Sequence, residues 1–145
     1  MADNSNTPTP SDKMKALDRL VGTWELSGDS TGTITYRWME GGFFLVQDFD
    51  ITVFGERAKG VEYIGHLHPF GEDPSEDVHS RVYDTQGNTL DYVYEIEGDK
   101  LTIWGGEKGS PAYFEGTFSE DGKTNKGGWH YPGGGGYDSV MTRVK

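Results

Sequence analysis

From Gly22 onward the chain alternates apolar and polar positions with a period of two. Ile34, Tyr36 and Trp38 share one face of the run 33–38, opposite Thr33, Thr35 and Arg37. Phe43, Leu45, Gln47, Phe49, Ile51 and Val53 share a face further on, as do Leu90, Tyr92, Tyr94 and Ile96. Such alternation marks strands with one buried and one wet face. Gly41-Gly42, Gln86-Gly87-Asn88, Glu97-Gly98-Asp99 and Glu120-Asp121-Gly122 separate the runs. Glycine and asparagine accept the positive φ that hairpin turns require. The pattern predicts about ten strands, at 22–29, 33–39, 43–54, 58–68, 77–84, 89–97, 99–105, 112–118, 124–131 and 136–144. Consecutive hairpins without intervening helices argue against a parallel sheet. Closing the meander removes its edges. The expected fold is therefore all-β, an antiparallel up-and-down barrel of about ten strands.

Ahead of the strands, Ser11 has the character of an N-cap. Met14, Leu17 and Leu20 follow at helical spacing, with Val21 beside them. They predict one short amphipathic helix of two to three turns. Residues 1–10, MADNSNTPTP, are polar and aperiodic and read as a disordered tail. A single barrel domain is expected over 11–145.

Charge narrows the partners. Thirteen Lys and Arg against 24 Asp and Glu give a formal net charge of −11. That balance argues against nucleic acid, whose backbone is bound by cations, and against anionic membrane surfaces. The chain has no cysteine, which excludes disulfides and thiolate chemistry. No apolar run approaches the roughly 20 residues that span a bilayer, so a cytoplasmic protein is expected. Monomer and homodimer both stay open.

Leu-Val-Gly-Thr-Trp, residues 20–24, follows the helix and opens the first strand. This arrangement resembles the calycin superfamily of lipocalins, fatty-acid-binding proteins and their bacterial relatives. In that family a Gly-x-Trp closes one barrel end and a basic residue of the last strand covers the indole. The resemblance implies these roles for Trp24 and for Arg143 in Met141-Thr142-Arg143-Val144. The stretches LVGTWELSG, YRWMEGGFFLVQ, GVEYIGH, DTQGNTLDYVYEIEGDKLTIWGG, GTFSEDGKTNKGGWHYPGGGGYD and MTRV resemble an uncharacterised actinobacterial-type barrel family over most of 16–145. That resemblance implies a fold and no activity.

The aromatic residues carry the strongest chemical signal. Tyr36, Trp38, Tyr63, Tyr92 and Tyr94 fall on faces read as buried, and Gln47 interrupts an apolar face. Closed barrels converge such faces on one axis. These six residues are expected to line one pocket for a small hydrophobic or aromatic molecule. Two opposing readings apply: a barrel packed solid by its own side chains, and a bulge that turns Gln47 outward. Arg37, Arg81 and Glu115 point inward only if strand parity reverses.

His66 and His68 share a strand face, as a metal pair would, but spacing identifies no third ligand. Taking Val61, Tyr63 and Leu67 as the core side puts both histidines outside. Among barrels of this superfamily the nitrobindins hold haem through a histidine of a late strand, and His130 is the residue of comparable position. The rest of that pattern is not found, so no cofactor and no metal is expected. Gly133 to Gly136 lacks the Lys and Ser/Thr of a phosphate loop and reads as a flap at the barrel mouth. The acidic run 72–77 reads as a solvated loop. No Gly-x-Ser-x-Gly elbow is present. Binding of a small molecule is the leading expectation. A cofactor-free cyclase or isomerase is the alternative, and a nitrobindin-like haem protein comes third.

Overall fold

The computed structural model describes residues 7–145. Ten strands form one closed antiparallel barrel: β1 (Gly22–Gly28), β2 (Ser30–Trp38), β3 (Leu45–Val53), β4 (Glu56–His66), β5 (Val78–Asp84), β6 (Thr89–Glu97), β7 (Lys100–Gly105), β8 (Tyr113–Phe118), β9 (Thr124–His130) and β10 (Tyr137–Arg143). Every strand pairs with its neighbours in sequence, and β1 pairs with β10 to close the ring. This is the up-and-down meander that alternation and glycine turns dictate, and closure leaves no free edge. Of the tail expected over 1–10, residues 1–6 lie outside the described residues, and 7–10 carry no helix or strand.

The helical segment is tighter than expected. Ser11 Oγ accepts the Met14 N–H over 3.2 Å and caps a single α turn, α1 (Asp12–Lys15). The chain then narrows to a 3-10 helix over Ala16–Leu20. Met14, Leu17 and Leu20 are nevertheless buried and join the core with Trp24, Leu45, Ile64 and Phe118. The apolar spacing decided the burial, whichever helical geometry carries it.

That end of the barrel is shut by a connected set of contacts. Trp24 is fully buried, and its indole N–H donates to the Leu20 carbonyl over 2.8 Å. The Arg143 guanidinium lies 4.2 Å from the centre of the Trp24 ring. It also donates to the Val21 carbonyl, and over 2.7 Å to the Arg19 carbonyl. Gly22 sits at φ 130°, and a Cβ there would come within 2.5 Å of both Arg143 Nη1 and the Lys145 carbonyl. Only glycine lets the last strand pass this close. Arg19 covers the neighbouring Phe118 ring at 4.3 Å.

Outside, Arg37–Asp48, Arg57–Asp50 and Arg81–Asp91 pair across adjacent strands in solvent. Exposed pairs of this kind contribute little to stability, because water screens them. They settle parity, since Arg37 and Arg81 point outward, as does Glu115, which lies near Lys100.

Candidate functional site

A cavity of about 300 Å³ fills the barrel between the closed end and the opposite rim. Its lining reaches solvent at Leu90 and Tyr131, on the β6 and β9 sides of that rim. The two walls differ in chemistry. Leu101, Ile103, Phe114, Trp129 and Met141, from β7 to β10, form an apolar wall. The wall from β2 to β6 carries Tyr36, Gln47, Glu62 and Tyr94.

These polar groups form two hydrogen-bonded sets side by side on one wall. Gln47 Nε2 donates to Tyr36 Oη over 2.7 Å. Tyr94 Oη donates to Glu62 Oε1 over 2.7 Å, and Ser80 Oγ donates to Oε2 over 2.6 Å. All five residues are buried. Burial raises the Glu62 carboxyl from 4.5 to about 7, and the bonds from Ser80 and Tyr94 offset only part of that rise. Burial and the adjacent Glu62 charge push the Tyr36 and Tyr94 hydroxyls well above 10. The same two causes raise Tyr92 to about 12. The tyrosines therefore act as neutral donors over the physiological range, while Glu62 exchanges its proton near neutrality.

Four of the six expected lining residues, Tyr36, Gln47, Tyr92 and Tyr94, face this cavity. Gln47 points inward with no bulge. Two do not face it, and those expectations are corrected. Tyr63 projects outward, is 42% exposed, and meets Tyr83 edge-on at 6.3 Å. Trp38 keeps inward parity but lies past the closed end, where its indole N–H donates to Asp18 Oδ1 over 2.8 Å. The strand outlasts the cavity, so parity alone misplaces its final residue.

The error at Tyr63 has a register cause. Strands ending at residue 54 and restarting at 58 would pair Phe49 with Tyr63. The hairpin is instead a two-residue turn, Phe54-Gly55, with Val53 opposite Glu56 and Gln47 opposite Glu62. Residues directly opposite in an antiparallel pair share a face, so Glu62 and Ile64 are the inward set of β4. A one-residue slip exchanges the two faces of a strand. Glu62 was missed for this reason. An inward Gln47 points to Glu62 only once the Phe54-Gly55 turn sets the register. Both turn residues have positive φ, 51° at Phe54 and 77° at Gly55, which suits a type I′ hairpin. Phenylalanine at the first position conceals the turn from a sequence reading.

The histidines sit apart from the cavity. His66 belongs to the inward parity of β4, contrary to expectation, at the closed end. Its Nδ1 donates to the Ser75 carbonyl over 2.6 Å, and its Nε2 pairs with Ser11 Oγ at 2.7 Å. It thus ties the α1 cap to the β4–β5 loop. His68 is exposed in that loop. His130 stacks on Tyr113 at 4.8 Å on the outer face, because Trp129 takes the inward position. No histidine among the described residues lines the cavity, so these residues do not fit haem held inside the barrel. No group of three or more His, Cys, Asp or Glu among the described residues could hold a metal ion.

Aromatic rings crowd the mouth. Trp129 stacks on Tyr131 at 6.1 Å and packs against Tyr92 at 5.7 Å. Phe54, 67% exposed on the β3–β4 turn, meets Tyr137 edge-on at 5.4 Å. No helix among the described residues is long and apolar enough to cross a membrane. No protein-family model matches the chain, and no curated protein matches it.

Proposed function

We propose that this protein binds a small hydrophobic or aromatic molecule inside the barrel, in the manner of the calycins it resembles. One observation carries this reading: the barrel is not packed solid but holds a cavity of about 300 Å³, apolar on one wall and hydrogen-bonding on the other. That volume stands at the lower end of ligand pockets, which are mostly apolar with a few placed polar groups. The Gly-x-Trp closure at Trp24 and Arg143 supports the family resemblance. Native mass spectrometry of freshly purified protein should show a one-to-one complex. A fluorescent hydrophobic probe should bind with the same stoichiometry. Ala58 lines the cavity on β4, so Ala58→Trp should abolish probe binding, while Tyr63→Ala on the outer face should not. Equal binding by both variants would refute the cavity as the site.

A second reading, a cofactor-free isomerase, draws on Glu62. A carboxyl raised to about 7 holds comparable protonated and ionised populations at neutral pH, as a group that takes and returns a proton should. Exchange of an acidic C–H of a bound ketone with heavy water, lost in Glu62→Gln, would favour this reading over simple binding.

A further inference from the structure

The cavity contains one group that carries charge near neutral pH, the Glu62 carboxylate. Its two protein hydrogen bonds, from Tyr94 and Ser80, come from neutral hydroxyls. Gln47 and Tyr36, the next polar groups on the same wall, are neutral as well. Among the described residues no Lys, Arg or His lines the cavity. A buried carboxylate without a cation is destabilised relative to one that is paired, and a well-placed cation offsets part of that penalty. Each oxygen accepts one bond and can accept another, so the site has room for a donor supplied from outside. Toward the mouth the lining carries the rings of Tyr92, Trp129, Tyr131 and Tyr137, and aromatic rings attract cations over their faces. The chain's net charge of −11 draws cations toward the protein and repels anions.

Resting on the binding function proposed above, we infer that the cavity is built for a small lipophilic amine, whose ammonium group lies against Glu62 and whose apolar body fills the wall from β7 to β10. Carboxylate ligands such as fatty acids are disfavoured wherever Glu62 is ionised. Neutral alcohols of the same shape bind without the ion pair and therefore more weakly.

Three probes that share an indole ring test this by calorimetry at pH 8: tryptamine, the neutral alcohol tryptophol, and indole-3-acetate. Tryptamine should bind at least about tenfold tighter than tryptophol, and indole-3-acetate should bind most weakly. Glu62→Gln should bring tryptamine down to the affinity of tryptophol and leave tryptophol within about threefold. A pH series on the unmutated protein does not depend on that variant folding. N,N,N-trimethyltryptammonium keeps its charge at all pH values. Its affinity should rise about tenfold from pH 6 to pH 8 as Glu62 ionises, with tryptophol flat. The groups facing Glu62 are Tyr36 on β2, Gln47 on β3, Ser80 on β5, and Tyr92 and Tyr94 on β6, and none of them titrates in that window. Tryptophol binding as tightly as tryptamine, or a flat profile for the quaternary probe, overturns the amine preference and leaves cavity binding standing. Failure of all three indoles, together with failure of the hydrophobic probe to discriminate Ala58→Trp, overturns both.

Discussion

The Tyr94 hydroxyl donates to Glu62 Oε1 over 2.7 Å, on a cavity wall where every other polar group is neutral. β4 and β6 are not adjacent; β5 lies between them. The bond therefore spans a strand inside the barrel and exists because the β4–β5–β6 register puts both side chains on the same inner face. It holds the carboxylate in place without neutralising it, which makes Glu62 the group most sensitive to pH and to ligand charge.

The first expected outcome is a pH dependence of stability. The Glu62 carboxyl rises from 4.5 to about 7 on folding. A raised carboxyl means that the folded state holds its proton more tightly than the unfolded chain. The corresponding stability is present below pH 4.5 and is lost as pH rises toward 7, about 3 kcal/mol in all. Urea unfolding between pH 5 and pH 8 should show this decline in the parent protein and a flatter profile in Glu62→Gln. Identical slopes would mean that Glu62 is solvated.

Closing the barrel end depends on Trp24. Trp24→Ala should lower stability by about 3–5 kcal/mol, the usual cost of removing a large buried aromatic side chain. Arg143→Met keeps much of the aliphatic stem over the indole but abandons the Val21 and Arg19 carbonyls, and should cost about 1–3 kcal/mol. Chemical denaturation of both variants ranks the two contributions; an unchanged midpoint for Trp24→Ala would contradict its role as the plug.

Asn125 on β9 is buried, and neither of its amide atoms has a hydrogen-bond partner among the described residues. It stands beside Gly116, where a Cβ would collide with Asn125 Oδ1. An unpaired buried amide is costly, so Asn125→Leu, close in size, should stabilise the protein by about 1–3 kcal/mol. A lower melting temperature in this variant would show that the amide is satisfied after all.

Phe54 occupies a positive-φ position that asparagine or glycine fills more easily. Phe54→Asn should leave stability unchanged or raise it by about 1 kcal/mol. It also removes the ring that meets Tyr137 at the mouth. Stopped-flow measurements with a fluorescent probe should then show faster release. Unchanged release would confine Phe54 to the turn.

Alternation by itself determined the ten strands, the closed meander, and the inward faces of β2, β3 and β6. Strand periodicity is a local property, and in these three runs Tyr36, Gln47, Tyr92 and Tyr94 stand in phase with clear apolar neighbours. The apolar spacing of Met14, Leu17 and Leu20 likewise placed the helical plug, although not its 3-10 geometry. In β4 both faces mix apolar and polar residues, with Val61 and Tyr63 on one side and Glu62 and Ile64 on the other. Local pattern cannot choose between them. The choice was made by the two-residue Phe54-Gly55 turn, which sets the register against β3 and commits Glu62 to the interior. The Tyr94–Glu62 bond lies further still from local sequence, because two residues 32 positions apart meet only when β5 pairs with both β4 and β6 in register.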